Sequence, residues 1–173
     1  MRSNIKKILE ALTKSAPQRL LLDFEGLKSD EVEFTSPADL EYNCIAHAAG
    51  DSEKWWWAGG VSNNDCYWVE GISRKTTLEN FILAFETLGY EPCENADFNS
   101  SFEKVAIFVS TSDKTDEFGE FIPKETPTHM ARQLPNGKWT SKLGKDVDIS
   151  HNSLQSIEGK IYGEVKQILK RPK

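Results

Sequence analysis

Residues 129–141 read His-Met-Ala-Arg-Gln-Leu-Pro-Asn-Gly-Lys-Trp-Thr-Ser. The Asn136-Gly137 pair between two strand-like runs is the strongest short-range sign of a β-hairpin, because such a turn needs residues that accept positive φ. The reading places one strand over His129–Leu134 and the next over Lys138–Leu143. A third strand precedes them: Lys104-Val-Ala-Ile-Phe-Val-Ser110 has the β-branched and aromatic content of a buried strand. Upstream the period changes. Ile5, Ile8, Leu9 and Leu12 recur at helical spacing up to Pro17. Thr76 or Thr77 caps a helix over Leu78–Leu88, with Phe81, Ile82, Phe85 and Leu88 on one face and Gly89 at its end. Between these, Asn43 caps a short helix that starts at Cys44 and closes at Gly50. Helices first and strands after predict an α+β fold, with helices on a small, mainly antiparallel sheet.

Working outward, Arg19–Phe24 fits either a short strand or a helix turn, Gly26–Pro37 reads as a polar loop with room for one short extended piece, and residues 111–127 read as a polar loop. Asp148 or Asn152 is the expected cap of a short helix reaching Glu158. Gly163 argues against helix over Tyr162–Lys170, so a closing strand is expected there. No linker interrupts the chain. The expectation is a single domain over residues 1–173, with an N-terminal helix and lead-in over 1–40 and the core over 41–173.

Composition narrows the function classes. The 173 residues carry a net charge of −6, so clustered basic contacts to nucleic acid or an anionic membrane are not expected. The N-terminus lacks an apolar signal core, and no run of about 18 apolar residues occurs. A cytoplasmic protein is expected. Three cysteines, Cys44, Cys66 and Cys93, are an odd number, which suits free thiols better than a disulfide framework. Cys44, His47, Cys66, Cys93, His129 and His151 include no Cys-x-x-Cys spacing, so neither a metal nor another cofactor is expected.

The chemistry concentrates on Cys44 and His129. A nucleophilic cysteine needs a stabilised thiolate, a base and donors for an oxyanion. The first turn of a helix supplies unpaired N–H groups beside the sulfur. His129, on an extended segment after Pro127 and Thr128, supplies the base. The Cys44 N–H, with Asn43 or Asn63, is a candidate oxyanion donor. Trp56, within Trp55–Trp57, is a candidate wall for a substrate groove, although core packing suits most of that run. Trp139 and Ser141 share one strand face by alternation, so Trp139 is a candidate shield for the site.

The order of Tyr42-Asn43-Cys44 at a helix start, the strand KVAIFVS and a His-headed hairpin resembles papain-like cysteine hydrolases, most closely the compact NlpC-type amidases and endopeptidases. The resemblance implies a nucleophile helix packed on an antiparallel sheet and a third polar residue facing the histidine from the next strand. That position falls on Ser141, where His, Asn or an acid is usual. Asp146 and Asp148, just beyond, are alternative orienting groups. The chain also resembles a group of uncharacterised bacterial proteins that share the Asn-Cys helix start and the Gly137-Lys-Trp-Thr-Ser-Lys-Leu-Gly144 segment, roughly over residues 40–172.

Two functions follow. The first is a cysteine hydrolase or acyl transferase acting on a peptide, small amide or thioester, with Cys44 as nucleophile, His129 as base and Ser141 or Asp148 steadying the imidazole. The second is a catalytically inactive module of the same fold that binds a protein partner in a bacterial or phage system.

Overall fold

The computed structural model describes residues 20–59, 66–116 and 119–173. The expected helix over 5–12 lies outside them, as does Asn63. Beyond the helical residues 20–23, the described residues form, in order, β1 (Glu33–Ser36), α1 (Cys44–Ala49), α2 (Leu78–Glu86), β2 (Glu91–Cys93), β3 (Phe102–Val109), β4 (Lys114–Thr115), β5 (Phe121–Ile122), β6 (Pro127–Gln133), β7 (Trp139–Lys142), β8 (Asp148–His151) and β9 (Glu164–Pro172). Seven strands form one sheet in the order β1-β8-β7-β6-β3-β9-β2, and every pairing in it is antiparallel. The class is α+β with few helices.

Period-2 alternation sorts the side chains of this sheet into two cores. Val105, Ile107, Met130 and Leu169 face α1 and α2, where they pack with Cys44, Ile45, Phe81 and Phe85. Ala106, Phe108, Ala131, Trp139 and Ile149 face the other way, against Phe24, Leu27, Leu154 and Ile157 from two 3-10 turns, Glu25–Ser29 and Leu154–Ile157. Phe81, Phe85 and Phe108 are fully buried, each contributing about 1.5–3 kcal/mol by leaving water.

The caps match their chemistry. The Asn43 side chain accepts the Ala46 N–H at 3.2 Å, and Thr77 accepts the Asn80 N–H at 3.3 Å at the start of α2. The β6–β7 hairpin turns through Asn136-Gly137, with Gly137 at φ 85°.

Residues 20–23 are helical, one of the two forms expected there. The segment over 26–37 contains edge strand β1 as its short extended piece. Two expectations change. Residues 111–127 contain a small hairpin, β4–β5. Asp148 caps no helix. It opens β8, which pairs with β7 from Trp139↔His151 to Lys142↔Asp148, and Ser153 caps the following 3-10 turn. The turn joining these strands runs through Gly144-Lys145-Asp146, with Gly144 at φ 61°. The expected closing strand is β9, beginning just after Gly163.

Edge strand β2 covers only Ile168–Lys170 of β9. Beyond it the Val165 N–H donates to Glu158 Oε1 at 3.0 Å. The Gln167 amide lies across the Cys93 and Ile168 carbonyls at 3.4 and 2.8 Å.

Candidate functional site

Cys44 opens α1, which packs on β6 and β7. Its thiol is buried, and that burial pushes it up to about 11. The Met130, Ile45 and Cys44 N–H groups work in the opposite direction, as does the positive charge of Lys142. The donors that a thiolate needs are therefore present, but the absence of water outweighs them.

His129 is the third residue of β6. Its neighbour Met130 packs with Cys44 on the helix side, so the imidazole points to the opposite face. There it stacks on Tyr162, with ring centroids 3.9 Å apart, and meets Phe108 edge-on at 5.3 Å. Its Nε2 lies 3.1 Å from Ser141 Oγ. Ser141 Oγ lies 2.9 Å from His151 Nε2, and His151 Nδ1 lies 2.8 Å from the Ser153 carbonyl. All three side chains are fully buried. His129 Nδ1 has no hydrogen-bond partner. Burial holds His129 well below the usual imidazole range, and the His151 and His47 charges act in the same direction. Burial also lowers His151, against its bond to Ser153 and the Asp30 carboxylate.

The β6–β7 ladder ends near this point. Gln133↔Trp139 and Arg132↔Thr140 pair across it, whereas Ser141 and Lys142 pair only with β8. Past the last backbone pair, the His129–Ser141 bond joins the strands through side chains instead. Tyr162, the ring stacked on His129, is pushed far up, first by burial and next by the charge that Cys44 carries as a thiolate. No hydrogen bond joins Cys44 to His129: Nε2 is directed at Ser141 and Nδ1 has no partner.

A second cluster sits on the helix side of the same strands. Tyr42 Oη donates to Asp148 Oδ2 at 2.7 Å. His47 Nδ1 is 3.7 Å from that oxygen, and its Nε2 is 3.0 Å from Thr140 Oγ1. Lys142 Nζ lies 4.0 Å from Asp148 Oδ1, donates to the Asp39 carbonyl at 3.0 Å and to the Asp146 carbonyl, and sits over the Tyr42 ring. Burial drives His47 down to about 4; Asp148 opposes this, while Arg132 and Lys142 add to it.

The expected residues thus separate. Ser141 meets His129 as expected, and Trp139 shares its face in the core. Asp148 does not reach His129. Alternation turns it to the helix side, where it meets His47, Tyr42 and Lys142. Asp146 stays in the β7–β8 turn, with Oδ1 accepting the Val147 N–H. Asn43 uses both ends of its amide within the fold. Its Oδ1 accepts the Ala46 and Trp56 N–H groups, and its Nδ2 donates to the Trp56 carbonyl at 2.7 Å. Trp56 takes a packing position. It is buried in the helix-side core with its Nε1–H on Asp51. No group of three metal-ligating side chains occurs among the described residues, and none of their helices is long and apolar enough to cross a membrane.

Sequence reading missed the pairing of Ser141 with His151, the stack on Tyr162 and the ionic cluster around Asp148. The available signal was the alternation of Trp-Thr-Ser-Lys and Asp-Ile-Ser-His on either side of a Gly-Lys-Asp turn.

The family model described as a domain of unknown function (DUF7689) matches residues 33–170. The chain belongs to the DUF7689 family. The match takes in β1 and nearly all of β9, so the DUF7689 region contains both polar clusters and Cys44. No curated protein and no solved structure matches the chain.

Proposed function

We propose that this DUF7689 protein is a papain-like cysteine hydrolase or acyl transferase in which Cys44 is the nucleophile and His129 the base. One observation carries this reading: His129 is tied through Nε2 to Ser141 and keeps Nδ1 as a buried nitrogen with no partner. Buried polar atoms are nearly always paired, so an orphan imidazole nitrogen calls for a functional explanation. The Cys44 sulfur is addressed by the N–H of Met130, the residue after His129, which supports placing the two groups in one reaction.

The charge state constrains the mechanism. With the thiol near 11 and the imidazole held well below its usual range, both groups are neutral, not a preformed thiolate–imidazolium. The thiol proton therefore passes to His129 Nδ1 as the sulfur attacks the carbonyl carbon of an amide or thioester. The C–S bond forms and the carbonyl π pair moves to oxygen. On collapse, the bond to the leaving nitrogen or sulfur breaks, and His129 returns the proton to it. Water, deprotonated by the same nitrogen, or an acceptor amine then releases the acyl group from Cys44. The substrate class is a peptide or a small amide or thioester.

The complete burial of His129 and Ser141 favours a second reading, a catalytically inactive binding module for a protein partner. One experiment separates the two. The protein is treated at pH 7 with p-nitrophenyl acetate, and its cysteines are mapped by mass spectrometry. The enzymatic reading expects acetyl transfer to Cys44 ahead of Cys66 and Cys93, at a rate lowered by at least about tenfold in His129→Ala. It fails if Cys44 stays unmodified, or is modified equally in both proteins, and the binding module then stands.

A further inference from the structure

We propose that His151 and the Ser153 carbonyl are positioning elements that decide, through Ser141, which nitrogen of His129 carries its proton. One group in this chain of contacts has no choice of role. A carbonyl oxygen only accepts, so His151 Nδ1, 2.8 Å from the Ser153 oxygen, must be the protonated nitrogen. Neutral imidazole carries one N–H, so His151 Nε2 is a lone pair and takes the Ser141 hydroxyl proton across 2.9 Å. The Ser141 oxygen, having donated, accepts from His129 Nε2–H across 3.1 Å. His129 Nδ1 is then left bare, and it is the atom with no partner.

The reverse polarity requires two unfavourable changes. His151 would need a second proton, which burial opposes, and His129 would present Nδ1–H as a buried donor with no acceptor. The groups facing His151 are Ser141, Ser153 and the Asp30 carboxylate, which itself accepts the Asn152 and Ser153 N–H groups at 2.9 and 3.1 Å. That anchorage fixes the segment carrying the deciding carbonyl. The residue that sets the proton on His129 thus lies two hydrogen bonds away from it, on β8.

The value of this arrangement for catalysis rests on the cysteine reading, because a bare Nδ1 is what a base needs. The proton placement itself does not. The chain has three histidines, so protein labelled with 15N-histidine gives a simple two-bond 1H–15N spectrum at neutral pH, and His47→Gln removes one set of signals. The expected result is His129 as the Nε2–H form. His151→Gln, whose amide oxygen still accepts from Ser141, retains that form. His151→Phe removes the acceptor, so the Ser141 hydroxyl turns to His129 Nε2 and the His129 proton moves wholly or partly to Nδ1. If His151→Phe does not fold, Ser141→Ala replaces it, and a mixture of the two forms is expected. An Nδ1–H form of His129 in the unmodified protein overturns the proposal, as does an unchanged spectrum in the folded Phe or Ala variant. A bare Nδ1 beside an inert Cys44 would keep the relay and remove the reaction; a protonated Nδ1 beside a reactive Cys44 would do the reverse.

Discussion

The two faces of the β7–β8 hairpin solve the same problem in opposite ways. Both bury a histidine against polar partners drawn from the same eight strand residues. Thr140, Lys142 and Asp148 face α1 and build an ionic cluster around His47. Ser141 and His151 face the other core and build a neutral chain ending at His129. The first must hold charges in a low-dielectric setting, so each partner depends on the others being present. The second contains only dipoles, so its order is set by proton direction. The difference teaches that alternation can deal one short hairpin into two sites of unlike electrostatics.

The largest expected break comes from the ionic side. Asp148→Ala strands Lys142 and removes the acceptor of Tyr42, and a cost of about 3–5 kcal/mol is expected from loss of one partner of a buried pair. Urea unfolding checks this. Ser141→Ala, on the neutral side, is expected to cost only about 1–3 kcal/mol in the same assay. Equal losses would erase the contrast.

Acid sharpens it. His47 lies near 4 in the folded protein against about 6.5 unfolded. Its folded value is depressed, so the unfolded chain binds more protons between these limits. The stability tied to His47 is complete above about pH 6.5 and falls toward pH 4, by roughly 3 kcal/mol. His129 and His151 are lowered as well and act in the same direction. Unfolding midpoints measured from pH 7 to pH 4.5 are expected to fall, and His47→Gln should flatten part of the slope. A profile flat above pH 5 would contradict the burial argument.

Tyr42→Phe is the finer probe. It deletes the 2.7 Å bond to Asp148 and keeps the ring beneath Lys142, so about 1.5–3 kcal/mol is expected. The His129 signals should remain in place, because the other face is untouched. A change in both would show that the faces are coupled.

Much of this was legible in the residues. Asn43 and Thr77 announce their helices because a side-chain oxygen at an N-cap has few better uses. Asn136-Gly137 announces the hairpin, alternation put Trp139 and Ser141 on one face, and the papain-like resemblance implied Ser141 as the residue facing His129. Asp148 was misplaced because an Asp before a short segment resembles a cap, while the turn at Gly144 passed unrecognised. Once that turn is seen, period 2 sends Asp148 to the helix side and His151 to the other. The bonds from both ends of the Asn43 amide to the Trp56 backbone were illegible for another reason: they are a contact 13 residues along the chain that no local pattern shows.

The short strand β2 has a consequence for the life of the protein in a crowded solution. A sheet margin with open backbone groups invites another chain to add itself. Here Glu158 holds the Val165 N–H beyond β2, and the Gln167 amide spans the Cys93 and Ile168 carbonyls at the last β2–β9 pair. An incoming extended segment would have to displace both side chains, one of them charged, before forming its own ladder. Two residues that touch neither polar cluster thereby act as a stop on sheet growth.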